Sequence, residues 1–219
     1  MLVDINRYEC AVDAGAAAAE DAGVWLALRA AAGPVSVALP GGRSPAAFLA
    51  ALATTPVPWH RVVMTPTDER RVAADHALSN ERALRAAFAG TPAEGARLIT
   101  LDGPGAAARI RAPFDLVVLG MGADGHIASL FPGEPLGQPG EPAVIAASPW
   151  PLPAEAPVAR WSWSLTALAS AHRVLLLIAG PAKREVLERA LHKATDLPIG
   201  AFLRRTKSPV TIYWSEVAA

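Results

Sequence analysis

The feature that most constrains this chain is an alternation. Short runs of β-branched and apolar residues recur between longer alanine-rich stretches of helical character. Strands alternating with helices predict a mostly parallel sheet covered on both faces. Residues 13–32 read as a helix, with Asp13 as a candidate N-cap and Gly33-Pro34 as the stop. Val35–Leu39 reads as a strand that turns through Pro40–Pro45 into a helix ending near Ala53. Arg61–Met64 is a second buried strand, Ser79–Phe88 a helix, Arg97–Leu101 a further strand and Phe114–Leu119 the third clear one. From Pro132 to Pro157 the chain is rich in Pro and Gly, an excursion with at most a short strand at Val144–Ala147. Arg173–Ala179 is nearly uniformly apolar, as a strand buried on both faces should be. Pro181 opens a helix to about His192, and Val210–Trp214 closes the chain as a strand. With no internal repeat and no domain boundary, the expectation is an α/β fold. It is a single domain over residues 1–219 with a mostly parallel, Rossmann-like sheet and helices on both faces.

Composition narrows the function classes. Hydrophobic residues make up 52% and charged residues 18% of the 219, which excludes a disordered chain. Twenty Lys and Arg balance twenty Asp and Glu, leaving no electrostatic footprint for nucleic acid or an anionic membrane. Only three of the cations are lysines, Lys183, Lys193 and Lys207, so a lysine in an odd place needs a reason. The single Cys10 excludes an intramolecular disulfide and any cysteine-based zinc site. The start MLVDINRYEC does not read as a signal peptide, and no run of roughly 18 apolar residues exists. A cytoplasmic globular protein is expected.

In open parallel sheets, ligands bind beyond the carboxyl ends of the strands. Four such ends carry polar, glycine-rich sequence here: Pro40–Pro45, Thr65–Arg71, Gly120–His126 and Gly180–Lys183. In Gly41-Gly42-Arg43-Ser44-Pro45, Ser44 suits an N-cap and Pro45 the first helical position. That segment is either a phosphate cradle at a helix start or a tight turn with an ordinary cap. Arg43 favours the cradle, because a cation beside the positive end of a helix is unfavourable unless an anion joins them. Lys183 repeats the argument in the first turn of the helix opened by Pro181, against the alternative of a lysine simply pointing at solvent.

Gly120-Met121-Gly122-Ala123-Asp124-Gly125 matches the spacing of a dinucleotide fingerprint, but that reading is rejected. Asp124 would push a carboxylate at a pyrophosphate, and the stretch reaches Pro132 too soon for a full helix. The glycines instead bring backbone close to a smaller ligand and hold Asp124 and His126 at its rim. Of five histidines, only His126 follows a central strand end inside a glycine-rich loop, where it is either structural or a base. Asp124 and His126 could be half of a metal site, but nothing supplies the remaining ligands, so no metal is expected. Asp68-Glu69-Arg70-Arg71 is either a solvated charge run or, through Asp68 and Arg70, a set of sugar or phosphate contacts. Trp161 and Trp163 alternate with polar residues and are expected in the core.

Together these motifs resemble the 6-phosphogluconolactonase family, related in fold to the glucosamine-6-phosphate deaminases and isomerases. Pro40–Pro45 is similar to the family's phosphate loop, Asp68-Glu69-Arg70 with Ser79-Asn80 to its acidic-basic element, and residues 120–133 to its most specific signature. Arg160 and the stretch Gly180 to Lys183 correspond as well, so the likeness runs from about residue 13 to the end of the chain. Pro40 and Arg43 replace serines of the phosphate loop, and the segment between Leu101 and Phe114 is short. The Asn-Glu pair that deaminases carry after the histidine is absent, since Ser129-Leu130-Phe131 stands there.

The resemblance implies hydrolysis of 6-phospho-D-glucono-1,5-lactone, the second step of the oxidative pentose phosphate pathway, without a cofactor. It implies His126 as general base beside Asp124, with Asp68 as the other titratable group on that edge. Arg70 or the N–H groups of the 120–125 loop would face the oxyanion. Gly41, Gly42, Arg43, Ser44, Asp68, Gly122, Arg160 and Lys183 would contact the substrate. A sugar-phosphate isomerase or deaminase, or a non-catalytic sugar-phosphate sensor, are the other readings. The expected partner is a small sugar phosphate, with no nucleic acid and no membrane; the oligomeric state is left open, with a monomer as the expectation.

Overall fold

The computed structural model describes residues 3–42, 44–141, 143–148, 157–192 and 195–217. In chain order the elements are β1 (Val3–Cys10), α1 (Ala11–Ala32), β2 (Val35–Leu39), α2 (Ala46–Ala53), β3 (Val62–Pro66), β4 (Asp68–Arg70), α3 (Asn80–Phe88) and β5 (Arg97–Leu98). They continue with β6 (Leu116–Gly120), β7 (Val144–Ala147), β8 (Arg160–Trp163), α4 (Leu165–Ala169), β9 (Val174–Ala179), α5 (Pro181–His192), α6 (Pro198–Arg205) and β10 (Val210–Val217). Seven strands form one sheet in the order β1-β10-β9-β6-β2-β3-β5, with every neighbouring pair parallel. The expected α/β architecture is therefore present. No helix among the described residues is long and apolar enough to cross a membrane.

The continuous apolar strands are explained by burial on both faces. In β6, Leu116 and Val118 join the cluster built by α1, α2 and α3, through Ala18, Phe48 and Leu84 among others. Val117 and Leu119 point the opposite way, into the cluster with Leu168 of α4, Val186 of α5 and Phe202 of α6. Successive side chains leave a strand on opposite faces, so a sheet covered twice needs apolar residues at every position. Burying each such Leu or Phe contributes ~1.5–3 kcal/mol.

At the amino-terminal ends of these strands, Asp115 is fully buried. It accepts from the Ser36 N–H at 2.9 Å, from Arg29 at 2.8 Å and from Arg111 at 2.7 Å. Burial alone would raise its carboxyl. The Ser36 amide and the two guanidinium groups outweigh that and hold it below the ordinary aspartate value.

Several local expectations are corrected. The polar start of the chain is β1, an edge strand paired in register with β10 from Val3 opposite Val210 to Cys10 opposite Val217. It makes α1 begin at Ala11, so Asp13 lies in the first turn and Cys10 occupies the cap position without a side-chain cap bond. Ser44 is not the cap of α2, because Pro45 holds that place and the helix starts at Ala46. The chain after β3 is itself a strand, β4, in a second sheet ordered β4-β8-β7 and antiparallel throughout. That sheet also contains the short strand expected at Val144–Ala147.

Trp163 is core as expected. Its indole N–H donates to Pro66 O at 3.1 Å, and its ring meets Phe114 edge-on at 4.9 Å. Trp161 is only partly buried, with the Arg71 guanidinium 4.7 Å over its ring.

Candidate active site

The carboxyl ends of β2, β3, β6 and β9 open onto one cavity of 510 Å³. Gly41, Gly42 and Ser44 reach it from beyond β2, and Asp68 and Arg70 from β4. Gly122 and His126 reach it from beyond β6, Lys183 from α5 and Arg160 from β8. Nine of the sequence-selected residues thus share one wall system. Arg43 lies outside the described residues.

The stretch after β6 forms turns and bridges instead of a helix, as the rejection of a dinucleotide site requires. The Gly122 N–H donates to His126 O at 2.9 Å and the Gly125 N–H to Gly122 O at 3.1 Å, closing a compact loop. A Cβ on Gly122 would overlap both the His126 ring and the Asp124 carboxylate, so a side chain there would push that pair aside. Asp124 stands behind the histidine, outside the cavity lining, with its Oδ1 2.6 Å from His126 Nδ1. A carboxylate can only accept, so Nδ1 carries the proton and Nε2 is left as the ring's acceptor. Phe131 supports the ring at 4.9 Å between centroids. The His126 side chain is 32% exposed and that of Asp124 52%, so the pair sits at the rim.

Asp68 is a different kind of carboxylate. It is buried and accepts from the Ser129 hydroxyl, with the Asn80 amide at 3.4 Å and an Arg160 nitrogen at 3.9 Å. Arg160 also lies 5.4 Å over the Phe131 ring. The charge run 68–71 is therefore not a solvated face: Asp68 and Glu69 are both buried.

Glu69 serves the backbone. Its carboxylate accepts from the N–H groups of Asn80 at 2.8 Å and Glu81 at 2.7 Å and from the Ser79 hydroxyl at 3.1 Å. These include donors that a helix start leaves unpaired. Burial pushes the Glu69 carboxyl up, and the N–H groups of Asn80, Glu81 and Arg70 with the Ser79 hydroxyl pull it back in part.

Lys183 lies in the first turn of α5. Burial pushes its ammonium below the usual lysine range, while the Asp124 carboxylate acts in the other direction. A cation desolvated at a helix start, on the wall of a cavity, has the charge and the position to receive an anion.

Several lining residues were not selected as site residues from the sequence, among them Asn80, Phe131, Tyr213 and, near the end of β10, Ser215. Asn80 carries a local signal, an amide directly after the capping Ser79, but only the fold shows that it is buried. Among the described residues no group of three or more His, Cys, Asp or Glu is placed to hold a metal ion.

Comparison with known proteins gives this arrangement its context. A family model described as glucosamine-6-phosphate isomerases/6-phosphogluconolactonase matches residues 11–214. The chain is 35% identical over 234 residues to a 6-phosphogluconolactonase of Rhizobium meliloti, covering 98% of this chain and 100% of the relative. It is 39% identical over 199 residues to one of Pseudomonas putida, covering 84% and 81%. Among solved structures, a 6-phosphogluconolactonase from Shewanella baltica superposes with a TM-score of 0.86 at 28% identity, covering 97% of each chain.

Proposed function

The chain belongs to the glucosamine-6-phosphate isomerase/6-phosphogluconolactonase family, and from that premise we propose that it hydrolyses 6-phospho-D-glucono-1,5-lactone to 6-phospho-D-gluconate with His126 as general base. The observation that carries the reading is the Asp124–His126 pair at the cavity rim. With Nδ1 tied to the carboxylate, Nε2 removes a proton from water as the water oxygen bonds to the lactone carbonyl carbon. The carbonyl oxygen takes up the negative charge. When it re-forms the double bond, the bond from that carbon to the ring oxygen breaks, and the imidazolium returns its proton to the leaving ring oxygen. The product is the open acid with a free hydroxyl.

Arg70 is the better candidate for the oxyanion. In the 120–125 loop, the N–H groups of Gly122 and Gly125 already donate to backbone oxygens. The remote phosphate falls to Lys183, Arg160, Ser44 and the Gly41-Gly42 backbone, all on the cavity wall, and to Arg43, which precedes Ser44 in the sequence. Asp68 is a poor alternative base because Ser129 and Arg160 already engage its carboxylate. The proposed setting is the oxidative pentose phosphate pathway in the cytoplasm.

The test offers purified protein 6-phosphogluconolactone and glucosamine 6-phosphate separately and follows acid and ammonia release above the enzyme-free rates. Acid release from the lactone alone is the expected result. Ammonia release would transfer the site to deaminase chemistry, and turnover of neither substrate would leave a sugar-phosphate sensor.

A further inference from the structure

Asn80 is the first residue of α3 and is 1% exposed, an unusual place for an amide at a helix start. Its two ends have opposite partners. The Nδ2 group donates to Asp68 O at 2.6 Å, and Oδ1 accepts from the Arg70 guanidinium. A carbonyl oxygen only accepts and a guanidinium only donates, so one orientation of the amide satisfies both. The backbone N–H of Asn80 is held by Glu69 at 2.8 Å. On its remaining side the amide lies against Gly41, where a Cβ would overlap it. The side chain is therefore clamped between the loop after β2 and strand β4, and both clamps border the cavity.

Arg70 is held in an equally specific way. Among the described residues no carboxylate forms an ion pair with its side chain, and its buried Nε has no partner. A carboxylate would orient a guanidinium and also neutralise it. A neutral amide orients it and leaves its full charge for an anion. We propose that Asn80 is a positioning residue for Arg70, fixing an unneutralised guanidinium in the cavity for the charge that develops at the substrate's carbonyl end. This rests on the lactonase reading only for the identity of that charge; the clamp itself is independent of it.

The experiment is a double-mutant cycle with Asn80→Ala, Arg70→Ala and the double variant. It is read both as calorimetric affinity for 6-phosphogluconate, whose carboxylate occupies the carbonyl position, and as kcat and KM on the lactone. Each single change is expected to reduce affinity and kcat about tenfold or more, the scale of one hydrogen bond to a charged group. The double variant should match Arg70→Ala within about twofold, because positioning has no value once the guanidinium is gone. Multiplying losses in the double variant would overturn the proposal, as would wild-type affinity and turnover in Asn80→Ala. Should Asn80→Ala fail to fold, Asn80→Ser, which keeps a small polar group at the site, takes its place in the cycle. A wild-type protein that binds 6-phosphogluconate without hydrolysing the lactone would overturn the lactonase reading and leave the affinity cycle to decide on Asn80. One that does not bind it would overturn both.

Discussion

Asp124 Oδ1 accepts twice from the same residue, from the His126 ring at 2.6 Å and from the His126 backbone N–H at 3.2 Å. A side chain that grips both the ring and the main chain of its neighbour fixes the tautomer and the aim of the imidazole together. His126→Gln should fold normally and lose roughly 10²–10⁴ in kcat, the usual contribution of a positioned base. Asp124→Asn should lose up to about 10⁴, chiefly in kcat, since the ring remains but its tautomer is no longer enforced. Steady-state kinetics corrected for spontaneous hydrolysis at every pH is the measurement. A folded His126→Gln protein keeping more than about a tenth of wild-type turnover would be too active for this role.

Gly122 sits beneath that pair, where a Cβ would overlap His126 Nδ1 and Asp124 Oδ1. Gly122→Ala should therefore displace the dyad while leaving the sheet intact. A 1 Å misplacement can cost about 10²-fold in rate. The expected result is a loss of that order with an unchanged circular dichroism spectrum, and near wild-type turnover would show that the dyad tolerates displacement.

Lys183 is proposed to bind the phosphate far from the reacting carbon. Lys183→Ala should raise KM roughly 10–100-fold with little change in kcat, as for a contact made equally in the ground and transition states. Burial lowers the Lys183 pKa from 10.5, and only the protonated amine attracts phosphate. Affinity for 6-phosphogluconate should therefore decline with rising pH, starting below 10.5. Lys183→Arg should abolish the decline, because a guanidinium stays charged throughout. Calorimetric titration across the alkaline range decides, and an unchanged decline in the arginine variant would assign it to another group.

At the opposite end of the strands, Asp115 should act on stability alone. Its folded-state pKa lies below the ordinary 3.8, so the unfolded chain binds the proton more readily. Its stabilising contribution is complete above that value and is lost as pH falls through the folded-state pKa. Asp115→Ala should cost roughly 1–3 kcal/mol at neutral pH through the unpaired Ser36 amide and lost Arg contacts. It should also flatten the acid limb of the stability profile. Urea unfolding at neutral and acid pH checks both, and parallel acid limbs in the two proteins would contradict the assignment.

How much of this was legible before the fold was known differs by element. Strands β2, β6 and β9 announce themselves because a sheet covered on both faces demands apolar residues throughout. β1 does not, since an edge strand alternates exposed Arg7 and Glu9 with partly buried Tyr8 and Cys10, and its partner β10 lies at the other end of the chain. The short α4 and α6 likewise have weak local signatures and form by burying Leu168 and Phe202 against the sheet.

By itself the sequence determined the parallel α/β plan, the four loops that could meet a ligand, and His126 as the candidate base. Each of these is written in local residue patterns: apolar runs, glycines beyond strand ends, and one histidine among those glycines. Only the tertiary structure decided how the polar groups divide their work. Ser129 holds Asp68 from 61 positions away, Asn80 orients Arg70, and Glu69 turns out to serve a helix start. Those pairings follow from which backbones the sheet order brings together, and a buried carboxylate or amide takes whatever complementary partner that packing supplies.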